Sequence, residues 1–317
     1  LLQEEALIDR YFRDLAARRD DVVLGIGDDA ALLAPPPGQR LVAAVDTLNE
    51  GVHFPASMPA SAVGHRLLAV NLSDLAAMGA TPAWATISLS LPAPEEDWLR
   101  GFAEGLGALA RRHEVALVGG DTVRGPLSLS LQLLGFAPAG EALTRAGAGP
   151  GDGIYVTGEP GLAAAGLRRM QASRPLSDPL IEVFLWPRPR VAAGLGLRGI
   201  ASAAIDVSDG LITDLGRLLG ASGCGGRLDA GSLPLSGLVA AGVDPGEALD
   251  FALAGGDDYE LLFTAPAALA PLLAERSPAW EVEVTRIGEV EEEPGLRVSG
   301  GPDHLPASWR HFDGGAQ

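Results

Sequence analysis

The chain has 317 residues, enough for two domains of ordinary size, and its 23 basic residues are all arginine, set against 41 Asp and Glu for a net charge of −18. With no lysine in the sequence, a P-loop, a protein-kinase strand lysine and Schiff-base chemistry are all excluded. The acidic surface repels polyanions and no arginine stripe is interleaved with aromatics, which argues against nucleic acid as a partner.

The first helix is expected over Glu4 to Arg18, where Leu7, Ile8, Tyr11, Phe12 and Leu15 recur at helical spacing. Val22 to Ile26 and Leu41 to Leu48 read as strands joined through the turn-rich APPPG stretch at 34–38. A long helix follows up to Gly79, with Ser61 as its expected N-cap. Trp84 to Leu91 alternates as a strand, with Trp84, Thr86, Ser88 and Ser90 on one side and Ala85, Ile87, Leu89 and Leu91 on the other. Glu95 to Arg112 reads as a helix, and Val115 to Val118 and Leu127 to Phe136 as strands. Six Gly or Pro residues in Ala137 to Asp152 mark a boundary, giving domains 1–138 and 150–317 with a linker over 139–149. The second half reads as strand Ile154 to Thr157, helix Gly161 to Met170, a Pro-punctuated segment around Pro187 and Pro189 leading into a helix, strand Ala203 to Val207, helix Leu211 to Leu219, strand Leu261 to Thr264 and helix Ala267 to Glu275. The acidic stretch Glu281 to Glu293 reads as a solvated face with alternating buried Val. The fold class is therefore mixed α/β. No leader of charged then apolar residues opens the sequence, and no apolar run approaches the roughly 20 residues that span a bilayer, so the expectation is a cytoplasmic protein without membrane contact.

Asp recurs beside Gly and Ser in six clusters: Gly25 to Ala30, Val45 to Thr47, Asn71 to Asp74, Val118 to Thr122, Ile205 to Gly210 and Gly255 to Glu260. Any one of them also reads as an Asx turn or a helix cap. Asp46 and Asp121, however, sit beside β-branched residues at expected strand ends, where ligands bind in α/β sheets. Oxygen donors with few His or Cys nearby select Mg²⁺ or Mn²⁺ over zinc. Several carboxylates without a lysine suit phosphoryl transfer through divalent ions, because two unit charges 4 Å apart repel by about 4 kcal/mol at an effective dielectric near 20.

The blocks GIGDDAALL (25–33), VDTLNEGVHF (45–54), NLSDLAAMGATP (71–82), VGGDTVR (118–124), AIDVSDGLITDL (204–215) and AGGDDYELL (254–262) run in order along nearly the whole chain. They resemble the signature blocks of the thiamine-monophosphate kinase family, within the broader aminoimidazole ribonucleotide synthetase superfamily. The resemblance implies ATP-dependent phosphorylation of thiamine phosphate to thiamine diphosphate. It also implies a two-domain aminoimidazole ribonucleotide synthetase-like fold whose N-terminal sheets pair in a homodimer as an intersubunit barrel. By motif position Asp29, Asp46, Asp74, Asp121, Asp206 and Asp209 would hold Mg²⁺. Gly120, Asp121, Arg145 and Ser208 fall at ATP positions, and His53, Asp257 and Trp309 at substrate positions. The alternatives are another ATP-dependent synthetase of the superfamily and a non-catalytic nucleotide-binding regulator. Retention of every carboxylate cluster favours the enzyme.

Two departures stand out. The family usually has Glu where this chain has Asp257, a shortening by one methylene, about 1.5 Å. Ala44 and Val45 stand where some members carry hydroxyl residues, so a metal contact there would have to come from backbone oxygen. Cys224 lies in a Ser-Gly-Cys-Gly stretch with no neighbouring His or Arg to favour thiolate, and reads as inert. No general base is called for, because a substrate phosphate with a second pKa near 6 is already largely dianionic at pH 7.

Overall fold

Alternating strands and two long helices fold against each other in the first part of the chain. The structure, a computed structural model, describes residues 4–302 and 305–306. It divides into two units: one is the chain up to Leu75 together with Ala80–Ala142, the other Ala76–Gly79 and the chain from Leu143 onward. The first unit comprises α1 (Glu4–Tyr11), β1 (Val22–Leu24), β2 (Leu32–Leu33), β3 (Gln39–Asn49), α2 (Ala60–Ala77) as far as Leu75, β4 (Thr81–Leu91), α3 (Glu96–Arg112), β5 (Ala116–Arg124) and β6 (Ser128–Pro138).

Its sheet runs β3-β6-β4-β5, with β4 and β5 parallel and the other neighbours antiparallel. Because side chains alternate across a strand, register fixes the composition of each face. Leu48, Leu129 and Leu89 share one row, and Asp46, Leu131, Ile87 and Gly120 a second row on the same, largely buried face. Leu75 of α2 lies against Gly135 on that face. Thr47, Ser130, Ser88 and Asp121 form a row on the opposite face, where the Thr47 and Ser130 hydroxyls are 2.7 Å apart. Farther along that opposite face, Trp84 packs edge-on to Phe136 beneath Val22, Ala31 and Leu33.

Several boundaries differ from the sequence expectation. Helix α1 stops at Tyr11, not Arg18, because the following backbone is engaged elsewhere: Arg111 donates to the Leu15 carbonyl and the Ala17 N–H donates to Val115 O. Helix α2 starts at Ala60, so Ser61 is not its cap. Strand β5 continues through Gly119, Gly120 and Asp121, and β3 continues to Asn49, so Asp121 and Asp46 lie within strands, not at their ends. The reason is close pairing: a Cβ at Gly120 would come within 2.2 Å of the Ile87 carbonyl oxygen, so Gly120 serves strand contact, not a turn.

The second unit comprises β7 (Gly153–Thr157), α4 (Leu162–Gln171), α5 (Pro179–Leu185), α6 (Val191–Gly196), β8 (Ala203–Val207), α7 (Leu211–Ser222), β9 (Gly225–Asp229), α8 (Ser236–Ala240), α9 (Pro245–Ala254), β10 (Glu260–Ala265), α10 (Ala270–Arg276), β11 (Val284–Glu291) and β12 (Gly295–Ser299). Its sheet order is β12-β9-β11-β7-β10-β8. Ile154, Val156, Ile205, Val207 and Leu262 pack with Leu211, Leu215 and Leu218 of α7, and with Ile287 and Val290 of β11. Among the described residues no helix is long and apolar enough to cross a membrane.

Candidate active site

In the first unit a cavity of about 600 Å³ opens between α1, the loop carrying Gly27, Asp28 and Asp29, and the strand segment Gly119–Thr122. Gly27 adopts φ +122°, which only glycine takes readily, and the Asp29 N–H donates to Asp28 Oδ1 at 2.8 Å. The Arg13 guanidinium lines the same cavity, donating to the Ile26 carbonyl at 3.0 Å and to Asp9 Oδ1 at 2.7 Å. Two candidate metal residues, Asp29 and Asp121, thus share a space with backbone glycines and a cation.

Asp46 on β3 and Asp74 on α2 share a hydrogen bond between their carboxyl groups. Burial pushes the Asp46 carboxyl above its ordinary pKa, against the lowering effect of that hydrogen bond. Two carboxyl groups bond to each other only by keeping a proton, and a hard cation can take that proton's place. Just beyond β3, the Asn49 N–H donates to His53 Nδ1 at 3.0 Å and the His53 N–H returns to Asn49 O at 2.9 Å. With Nδ1 an acceptor, a neutral His53 ring carries its proton on Nε2.

In the second unit β8 delivers Asp206, 5% exposed, to a Ser208-Asp209-Gly210 turn that leads into α7. Asp214 in the first turns of α7 is fully buried and accepts the N–H groups of Ser208 and Asp209, each at 3.0 Å. Burial raises its pKa, opposed by those two backbone bonds and by Arg217. The Gly255–Tyr259 loop is tied to this turn: the Asp257 N–H donates to Ser208 O and the Tyr259 N–H to Val207 O, both at 2.9 Å. Asp257 and Tyr259 both take positive φ, 70° and 53°, and the Tyr259 hydroxyl donates to Asp257 Oδ1 at 2.9 Å. Between them Asp258 accepts the Gly161 N–H at 2.7 Å, and burial raises its carboxyl well above the usual range. Glu260 is held by Arg190 Nε at 2.7 Å and Thr157 Oγ1 at 2.6 Å. Arg145 is exposed, with its carbonyl accepting from Ser222 Oγ. Trp309 lies outside the described residues.

Among the described residues no three His, Cys, Asp or Glu side chains gather closely enough to hold a metal ion unaided. The donors are carboxylates in ones and twos, and one or two carboxylates completed by water and substrate phosphate is how Mg²⁺ is commonly bound. The donor set therefore fits Mg²⁺.

Residues 27–137 match the model of the AIR synthase related protein N-terminal domain, and residues 149–301 that of the C-terminal domain. The chain is 52% identical over 268 residues to a thiamine-monophosphate kinase from Salmonella typhimurium, covering 83% of this chain and 82% of that one. The chain belongs to the thiamine-monophosphate kinase family. The crystal structure of the Stenotrophomonas maltophilia thiamine-monophosphate kinase superposes with a TM-score of 0.88 at 48% identity, over 95% of this chain and 98% of that one. The structure described as AaThiL complexed with AMPPCP and TMP superposes with a TM-score of 0.78 at 34% identity, over 90% and 92% of the two chains. The two-domain mixed α/β fold of AIR synthase-like proteins is thus shared along nearly the whole chain.

Within the first unit, Asp29, Gly120 and Asp121 meet at one cavity and Asp46 meets Asp74. Within the second, Asp206, Ser208, Asp209 and Asp257 meet around one turn and one loop. No motif marks Arg13, whereas Asp214 lies inside the AIDVSDGLITDL block although it is not among the expected site carboxylates. Asp214 falls at the spacing of the apolar stripe Leu211, Leu215 and Leu218, where an acid is out of place. Tyr259 sits inside a quoted block, but its hydroxyl bond to Asp257 depends on two positive φ angles that sequence does not reveal.

Proposed function

We propose that this protein transfers the γ-phosphoryl group of ATP to thiamine phosphate, forming thiamine diphosphate and ADP. The observation that carries this reading is the match over nine-tenths of both chains to a fold described with an ATP analogue and TMP together, AaThiL complexed with AMPPCP and TMP. Gly120, Asp121, Arg145 and Ser208 are assigned to ATP. His53, Asp257 and Trp309 are assigned to thiamine phosphate. Asp29, Asp46, Asp74, Asp121, Asp206 and Asp209 would hold Mg²⁺. Bound there, Mg²⁺ would supply neutralisation of phosphate charge, a task for which this chain has no lysine.

The chain's own contribution is positioning. The nucleophile is an oxygen of the substrate phosphate; its bond to the γ-phosphorus forms as the bond from that phosphorus to the β,γ-bridging oxygen breaks, and ADP leaves. No side chain has to remove a proton, and no phosphoenzyme is needed. His53, with Nδ1 occupied by Asn49, offers an Nε2–H donor when neutral. Asp257 offers a carboxylate whose orientation Tyr259 fixes. The protein is further assigned to the cytoplasm and to a homodimer built on the β3-β6-β4-β5 sheet. The deciding assay incubates the protein with ATP, thiamine phosphate and Mg²⁺ and follows ADP and thiamine diphosphate together. Equal amounts of both are expected, and ADP without thiamine diphosphate would refute the reading.

A further inference from the structure

Helix α7 buries an acid in the midst of its apolar stripe. Leu211, Leu215 and Leu218 pack in the core of the second unit, and Asp214 on the same face is as completely buried as they are. A buried carboxylate is costly unless every oxygen is engaged. Here Oδ2 takes the peptide N–H groups of Ser208 and Asp209, and Oδ1 takes Arg217 Nη1 at 2.7 Å. The same Arg217 nitrogen lies 2.6 Å from Asp209 Oδ2. Gly210, at the cap position with φ +122°, has no side chain to cap the helix, so the turn before α7 is held from below by Asp214. The turn is also the anchor for the Asp257 loop, through Ser208 O. Three residues assigned to nucleotide, cation and substrate therefore depend on one buried carboxylate that touches none of those ligands in the assignment.

We propose that Asp214 is a positioning residue for phosphoryl transfer: with Arg217 it fixes the Ser208–Asp209 turn in one conformation before nucleotide and cation arrive. The inference rests on the kinase reading above. A purely structural role would cost stability alone, whereas a positioning role changes cation and nucleotide binding as well. The test uses the full-length protein and three variants. D214N keeps the shape but removes the charge. R217K keeps the charge but its side chain is one bond shorter, so its ammonium falls about 1.5 Å short of the position from which Arg217 Nη1 holds both carboxylates. L218A damages the same helix's core contacts and serves as the stability control.

Mn²⁺ binding without nucleotide is followed by the electron paramagnetic resonance of free Mn²⁺, and KM and kcat are measured for MgATP. For D214N, Mn²⁺ binding at one site is expected to weaken about tenfold and the MgATP KM to rise about tenfold, the scale seen when groups that orient metal ligands are lost. R217K should fall between D214N and wild type. L218A should lower the melting temperature and leave both binding quantities within twofold. The proposal is overturned if D214N lowers only the melting temperature, or if L218A shifts Mn²⁺ binding equally. Should D214N not accumulate as folded protein, R217K carries the test, its side chain being 45% exposed, and wild-type binding in R217K overturns the proposal. A wild-type protein that makes no thiamine diphosphate would refute the kinase reading instead, while the Mn²⁺ comparison would still judge Asp214.

Discussion

At the scale of single residues, the Asp46–Asp74 pair makes the sharpest claim. Each tenfold in rate takes about 1.4 kcal/mol and a bound metal supplies several, so D46N and D74N should each lower kcat about 100-fold or more at saturating Mg²⁺. The fold should survive, as circular dichroism would show; turnover near wild type in both would remove the pair from the site. A stability consequence accompanies this. Because burial raises the Asp46 pKa in the folded state, the native protein binds a proton that the unfolded chain releases, and metal-free stability falls as pH rises from about 4 through the folded pKa. D46N lacks that loss, so metal-free D46N at pH 8 should melt no lower than wild type. Cys224 gives the contrasting case. Its thiol is buried and pushed up by burial and by Asp152, so it is a poor nucleophile at neutral pH. C224S should retain activity within twofold, and isolation of a phosphorylated enzyme dependent on Cys224 would contradict direct transfer.

At the scale of elements, the first unit depends on glycines that let helices touch. A Cβ at Gly105 of α3 would stand 1.8 Å from the Ser61 carbonyl oxygen, and one at Gly64 of α2 would stand 2.1 Å from that of Phe102. Gly to Ala in a free helix stabilises by about 1 kcal/mol, but overpacking here reverses the sign, and G105A should destabilise by about 3 kcal/mol in urea unfolding. The end of α3 makes a pH-dependent contribution. Burial, then the charges of Arg112 and His65, lower the His113 pKa to about 4. The unfolded chain binds a proton near pH 6.5 and the native one does not, so stability is full above 6.5 and declines as pH falls towards 4. After allowance for partial exposure the loss is about 2 kcal/mol, and H113Q should show a smaller drop between pH 7.5 and 4.5 in thermal melts. The same elements show what sequence could and could not convey. The alternation of β4 and the stripe of α3 were legible because one face of each is apolar at a fixed period. Strands β9 and β12 were not, since β9 opens with two glycines and has only Leu228 as an apolar side chain to mark its buried face, and its pairing with β12 comes from residues about seventy positions away. Helix α9 does have a local signal, Asp244 as cap with Pro245 at the first turn. Residue type marks Asp46 and Asp121 as site candidates but not their place within strands, because pairing, not residue type, decides where a strand stops.

For the molecule as a unit, strand β3 offers the surface on which a dimer is expected. It is 11 residues long and lies at the edge of the four-stranded sheet, with Leu41 57% exposed and Val45 63% exposed. Register puts Leu41, Val45 and Thr47 on the face opposite the buried row, the face that also carries Ser88, Ser130 and Gln132. Long edge strands with exposed apolar residues are normally blunted by charge, proline or a bulge, and along β3 the face residues Leu41, Ala43, Val45, Thr47 and Asn49 carry no charge. A net charge of −18 repels a second copy at long range, so association must come from this uncharged stretch, and it should strengthen with added salt. A second copy presenting the same face satisfies both partners with one two-fold contact. Sedimentation equilibrium at micromolar protein should give a dimer, and L41R with V45R should give a monomer by placing four like charges at that contact. If the contact also completes the site, the monomeric variant should lose most of its thiamine diphosphate formation while keeping the wild-type melting curve. Wild-type protein that sediments as a monomer with full activity at the same concentration would show that this face needs no partner.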